Sequence, residues 1–360
     1  MVKNIRITYQ YIPNILKIYK YTMAYYINMK RKIIKQGHNT LTVTLPNEWV
    51  KKLNLKAGEE VEVNENEDQL IVNGHQNSAN RSCVIDINGF TVPLLWRYFQ
   101  SAYRSGASEI KILFDPTKKD YEGAFHFYTT QFDYASLGEK IPPKTAIVML
   151  QEMVNRFIGI DIMETGKGYC VIKQMAEVNP KEFESSMRRV FLVILELLDR
   201  LIEVIEHNEF GGAMLCREIH NIDLSVDRLV DYCCRILNSV SGLVPERKKS
   251  LLFSTLFILE LVGDECKYIA KHVATSKKSV KESLEIAKMV REHFDMYYKM
   301  YYKFSRDSAV KFGENDFSVY KGNVKMKEKF HGESRGVARH FMVISKLTLA
   351  LAELRIQMEF

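Results

Sequence analysis

Five carboxylates stand at helical spacing in the second half of the chain. Asp223, Asp227 and Asp231 fall at i, i+4 and i+8, and Glu260 and Asp264 lie four apart on the next apolar-periodic stretch. The stripe beside the first set is Ile222, Val226, Leu229, Val230, Cys233, Ile236 and Leu237. At about 100° per residue, Asp223 and Asp227 lie roughly 70–110° round from its centre. Like charges four apart on a helix repel by a few tenths of a kcal/mol. A cation shared between two such helices turns that repulsion into coordination. Carboxylate oxygens without cysteine suit iron, manganese, magnesium or calcium, and the expected ligands are Asp223, Asp227, Glu260 and Asp264. The competing reading of the same spacing is the solvated flank of an amphipathic helix. His220 and His272, near the acids, read as surface or packing residues.

A second group of residues suits a polyanion. Lys30, Arg31, Lys32 and Lys35 crowd an opening strand, and Lys51 and Lys52 follow on a short helix. Such charges meet backbone phosphates, whereas His38, Asn39, Thr40 and Thr42 are short polar groups able to reach base edges. The alternative is a basic strand that is only a solvated face.

The elements that position this basic group are compact. Leu41, Val43 and Leu45 alternate with Thr40, Thr42 and Thr44, the period of a half-buried strand. Pro46 stops the strand and opens a short helix over Asn47–Leu53. Ala57-Gly58 turns the chain into Val61-Glu62-Val63, and 64–68 turns it again into Leu70-Ile71-Val72. About forty residues so arranged cannot bury a sufficient core alone, so a second copy is expected to complete it.

The basic first strand, the turn at Gly37–Thr40, Thr42-Val43-Thr44-Leu45-Pro46 and Leu53-Asn54-Leu55-Lys56-Ala57-Gly58-Glu59 resemble the AbrB/SpoVT family, also called MazE-like. The resemblance implies a dimeric, swapped-hairpin β-barrel that binds DNA, here through Lys30, Arg31, Lys32, Lys35, Asn39, Thr40 and Lys51. Many members carry an arginine in the strand before the proline and an arginine pair on the helix. Thr42 and Val50-Lys51 hold those places in this chain.

After a polar linker at His75–Arg81, strands are expected at Cys83–Ile87, Glu109–Phe114, Ile160–Met163 and Tyr169–Lys173, with helices at Val92–Tyr103 and Thr145–Phe157. Asp115–Glu122 reads as loop and Pro142-Pro143 as a break. The pattern is a small α+β domain over 81–175, without nucleophile elbow, Walker loop or G-x-G-x-x-G, and its expected role is to connect. From Pro180 the period becomes 3.6. Helices are expected at 181–206, 212–239, 247–275, 280–304, 309–330 and 335–358, making one or two antiparallel bundles over 180–360. The aromatic run at 294–304 reads as bundle core and dimer surface.

Within that half, the segment Leu259–Ala270 (LELVGDECKYIA) and Ile222-Asp223-x-x-Val226-Asp227-x-x-Val230 resemble the PhoU family of phosphate-uptake regulators. This implies an all-α PhoU-like bundle and, through the acids, iron or another divalent cation. The matching places in the later helices hold Asn323, Lys327, Ala350 and Leu351, so one metal-capable face at most is expected.

Composition bounds the remaining possibilities. The 360 residues, 46% hydrophobic and 26% charged with a formal charge of +7, describe a folded multidomain α+β protein rather than a disordered one. The six cysteines form no C-x-x-C pair, which argues against a disulfide framework or zinc site and for the reducing cytoplasm. No apolar run reaches the roughly 20 residues of a membrane span. Residues 1–28 carry basic residues but no acid, and read as a flexible or misassigned extension, with Met29 as the start. A membrane-surface helix is the alternative reading there. The expected function is a homodimeric DNA-binding regulator of phosphate uptake, not an enzyme, with the bundle sensing a metal or a phosphate-transporter component. The alternative is an interaction protein that modulates such a transporter and uses the barrel only to dimerise.

Overall fold

A computed structural model describes residues 30–66, 69–74, 81–118, 144–207, 212–276, 278–326 and 330–360. The expected extension at 1–28, most of the linker at 75–81, part of the loop at 115–122 and the Pro142-Pro143 break lie outside the described residues. The chain divides into two compact units, 1–61 and 62–360, so the division falls inside the module expected at 29–74.

In the first unit, β1 (Ile34–Gln36) pairs antiparallel with β2 (Thr40–Thr42), and Gly37 at φ +71 supplies the left-handed turn residue between them. The short helix α1 (Asn47–Lys52) starts after Pro46, as expected, and Asn54 at φ 58 and Gly58 at φ 92 carry the chain onward. Two expectations change here. Lys30, Arg31 and Lys32 precede β1 rather than forming part of it, and β2 ends at Thr42 although the alternation runs on to Leu45. A strand extends only as far as a neighbour pairs with it. The apolar members of the alternation are open to solvent: Leu41 is 67% exposed, Val43 and Leu45 are also exposed, and so are Ile33 and Ile34 at the other strand.

The division falls at the first residue of β3 (Val61–Asn66), which makes a two-stranded sheet with β4 (Gln69–Gly74), where Leu70 is 70% exposed. Among the described residues the module's strands make two two-stranded sheets, and the expected barrel, which takes a second copy to close, is not seen in one chain.

Next comes a four-stranded sheet in the order β5-β6-β8-β7, from β5 (Ser82–Asp86), β6 (Glu109–Leu113), β7 (Ile160–Gly166) and β8 (Tyr169–Gln174). β5 and β6 run parallel and the remaining pairs antiparallel, with an irregularity between Ile162 and Glu164. Two helices accompany it, α2 (Val92–Arg104) and α3 (Ala146–Val154). Thr91 and Thr145 cap them by accepting from the backbone N–H of Leu94 and Val148. Phe99, Tyr103, Ile110, Ile112, Met149 and Ile172 form the buried core of this part.

The rest is helical, with α4 (Glu182–His207), α5 (Gly212–Ser239), α6 (Glu246–Thr275), a 3-10 turn at Lys281–Ser283, α7 (Leu284–Tyr302), α8 (Arg306–Met326) and α9 (Glu333–Gln357). Along α4, Met187, Val190, Phe191, Ile194, Leu197, Leu198 and Leu201 recur at helical spacing and are buried together. α5 packs along α4 and α6, α6 along α9, and α9 along α7. The aromatic run forms core as expected: the Phe191 ring lies between 5.1 and 6.1 Å from those of Phe294, Tyr297, Tyr298, Tyr301 and Tyr302.

Candidate functional site

The acids of α5 and α6 meet across the helix pair. Asp223 is wholly buried, not on a solvated flank, because Gly263 stands opposite it. A Cβ at Gly263 would come within 2.3 Å of Asp223 Oδ1. The cation between the helices belongs to the chain itself. Lys267, with a side chain 4% exposed, places Nζ 2.6 Å from Asp223 Oδ2 and 2.7 Å from Asp264 Oδ1. Burial pushes the Asp223 carboxyl up to about 6, with Lys267 opposing and Asp264 and Glu260 adding to the rise. Burial and the neighbouring Asp223 likewise raise Asp227 well above the carboxylate range. Burial alone would pull the Lys267 ammonium down, but Asp223, Asp227 and Asp264 outweigh it and hold the group charged.

The other half of the acid row is taken by the α+β part. Arg104, at the end of α2, donates from Nε to Asp231 Oδ1 at 2.5 Å and from Nη2 to Glu260 Oε2 at 2.7 Å. Gln100 donates to the same Asp231 oxygen at 3.1 Å. Burial pushes Asp231 up to about 7 against the pull of Arg104. One turn on, Arg235 is 1% exposed. It donates to the Tyr103 carbonyl at 2.8 Å, the Ala107 carbonyl at 3.0 Å and Gln174 Oε1 at 2.7 Å, and its guanidinium lies 4.7 Å from the Tyr103 ring centre. Asn238 adds a bond to the Arg104 carbonyl. The α+β part, expected only to connect, is docked along α5 by a buried polar seam.

A divalent ion does not fit among these residues as they stand. The place between Asp223 and Asp264 holds an ammonium, Glu260 is engaged by a guanidinium, and among the described residues no group of three or more His, Cys, Asp or Glu side chains is poised around one metal position. His220 is buried. His272 Nδ1 lies 2.7 Å from Glu333 Oε2 and its ring 5.2 Å from that of His340, a packing role between α6 and α9. The residues that sequence reasoning missed are Lys267, Arg104 and Arg235. Lys267 had a signal, since it shares a helix face with Glu260 and Asp264 at i+7 and i+3. The two arginines had none, because their partners lie more than a hundred residues away in the chain.

This geometry makes Gly263→Ala costly. The added methyl must displace Asp223 from Lys267, and crowding of a packed core costs about 1–3 kcal/mol. We expect a loss near the upper end in urea unfolding. Gly313→Ala, in an exposed part of α8 with nothing within 4 Å of the new Cβ, should instead gain up to about 1 kcal/mol. Equal effects of the two substitutions would mean that Asp223 does not need the space.

The basic group is differently placed. Lys30, Arg31, Lys32, Lys35, Asn39, Thr40 and Lys51 are all exposed, with Lys35 on β1 opposite Leu41, and Thr40 on β2 opposite Gln36. Among the described residues no helix is long and apolar enough to cross a membrane.

Residues 34–72 match the family model described as antidote-toxin recognition MazE, bacterial antitoxin, within the stretch whose residues resemble AbrB/SpoVT proteins. No curated protein matches the chain. A solved structure that matches is the crystal structure of the phosphate transport system regulatory protein PhoU from Streptococcus pneumoniae, at 16% identity and a TM-score of 0.39, over 50% of this chain and 94% of that one. The segment 34–72 is MazE/AbrB-like.

Proposed function

We propose that this chain is a homodimeric DNA-binding regulator of phosphate uptake. Two copies interlace their 34–72 segments, and the paired modules hold DNA phosphates through Lys30, Arg31, Lys32, Lys35 and Lys51. Asn39 and Thr40 sit at the hairpin turn, within reach of base edges. The observation that carries this reading is the coincidence of the MazE-type match with apolar faces left open in one chain. Ile33, Ile34, Leu41, Val43, Val63 and Leu70 are exposed, and covering such residues with a second copy is worth about 25 cal/mol per Å² of apolar surface. The phosphate connection rests on the PhoU-like sequence at Leu259–Ala270 and its partner helix. Because the acid face already holds its own cations, the bundle's signal in this reading is a protein partner, such as a phosphate-transporter component, rather than a metal.

A second reading has support of its own. Thr42 and Val50 stand where the AbrB/SpoVT pattern offers arginines, which favours a module that only dimerises an interaction protein. Salt titration separates the two. The full chain on a duplex carrying its own promoter should show binding that falls with a log–log slope on the order of −5 or steeper, as neutralised phosphates release counterions. Absence of binding, or a flat salt response, would overturn the DNA-binding reading.

A further inference from the structure

The acid face of α5 and α6 is closed from within the chain. We propose that Lys267 is the resident counter-ion of this face, standing where a divalent cation would otherwise bridge the helices, and that the bundle is therefore indifferent to divalent metals and to chelators.

Three observations converge on this. The Lys267 ammonium lies between carboxylates of two different helices, Asp223 on α5 and Asp264 on α6, at 2.6 and 2.7 Å. Those spacings barely exceed the roughly 2.3–2.6 Å of calcium–oxygen bonds, so ammonium and metal compete for one position and cannot share it. Next, two of the three remaining acids of the row, Asp231 and Glu260, are engaged by Arg104 from the α+β part, and the third, Asp227, lies in the field of the same Lys267. Finally, the wholly buried Asp223 keeps Oδ1 without a hydrogen-bond partner among the described residues, directed at Gly263. An acceptor in that state is what a hard cation takes up once the ammonium is gone. Unlike a metal, a covalently attached cation cannot be withdrawn by depletion, so the helix pair stays bridged whatever the metal supply.

The inference is independent of whether the N-terminal module binds DNA. Removing the charge while keeping the stem, as in Lys267→Met, should leave two carboxylates facing a gap one small cation wide. The test uses the full chain, wild type and Lys267→Met, incubated with MnCl2 and desalted, then analysed for metal content and for unfolding temperature in MnCl2 and in EDTA. The wild type should carry no stoichiometric iron, manganese, zinc or calcium and melt at the same temperature in both. The variant should bind one Mn2+ and melt roughly 5 °C higher with it than in EDTA, as expected for a ligand held well above its dissociation constant. Adding Asp223→Asn should abolish the rise. A wild type that holds one metal per chain and loses it on Asp223→Asn overturns the proposal, as does a folded Lys267→Met that ignores Mn2+. Should Lys267→Met not fold in either condition, Lys267→Gln replaces it, and the wild-type metal content still decides.

Discussion

Arg235→Ala is expected to remove about 4 kcal/mol of stability and to split a single unfolding transition into two. Arg235 is a buried cation that donates three hydrogen bonds to the α+β part, to the carbonyls of Tyr103 and Ala107 and to the Gln174 side chain. Hydrogen bonds to a charged group contribute about 1.5–3 kcal/mol each and do not add fully, and the acceptors left behind would be dry and unpaired. Tyr103 also loses the guanidinium over its ring while its hydroxyl remains committed to the Ile158 carbonyl. Stability lost at this seam should uncouple the α+β part from α5, leaving the hydrogen bonds of Gln100, Arg104 and Asn238 to hold more of it. Tryptophan emission in a Trp49→Phe background follows Trp96 on α2, whereas far-UV circular dichroism follows the long helices. In the parent the two probes should unfold together, and in Arg235→Ala the Trp96 signal should change first. Arg235→Lys keeps the charge but loses the planar fork, so it should fall between. Coincident transitions with a loss below about 1 kcal/mol would mean that the seam does not hold the two parts together.

How much of this was legible beforehand depended on whether the determining contacts were local. The helical half was readable because burial repeats every 3.6 residues. The stretch expected at 212–239 is the helix Gly212–Ser239, and that expected at 247–275 is Glu246–Thr275. The acidic spacing located the right pair of helices, since Asp223, Glu260 and Asp264 do converge. It did not reveal what neutralises them. A lysine within a face of acids on paper looks like an ordinary exposed ion pair, whereas Gly263 opposite Asp223 lets the helices close over the pair and bury it. The docking of α2 on α5 was invisible for a different reason. Arg104 falls just beyond the helix expected at Val92–Tyr103 and Asp231 belongs to the row of acids on the helix expected at 212–239, and nothing in either segment names the other. In the N-terminal module the difference runs the opposite way. The alternation through Val43 and Leu45 predicts more strand than one chain can pair, and β2 stops at Thr42. That surplus of strand pattern, together with Leu41 facing solvent, is what a second copy would use.

Reversing charge at two exposed positions, Arg31→Glu with Lys35→Glu, is expected to lower affinity for duplex DNA by at least about a hundredfold while leaving the fold intact. Each copy changes by four units of charge, so a dimer changes by eight, and attraction to a dense row of phosphates becomes repulsion at the centre of the basic segment. Both residues are exposed, and Lys35 lies on a strand whose cross-strand neighbour is Leu41. Surface substitutions of that kind shift stability by roughly half a kcal/mol, so an unchanged melting temperature and dimer mass separate lost contact from lost structure. The salt dependence should flatten in parallel, by about one unit of slope for each phosphate contact removed. Thr40→Ala offers the contrast. If it reads a base edge, it should weaken the preferred site by about 1–3 kcal/mol and leave non-specific binding nearly unchanged. The pair of results discriminates function as well as mechanism. If the double reversal abolishes DNA binding and releases control of phosphate uptake together, regulation runs through DNA. If uptake control survives a protein that no longer holds any duplex, the module serves to pair two helical bundles, and regulation is exerted by their contacts with another protein.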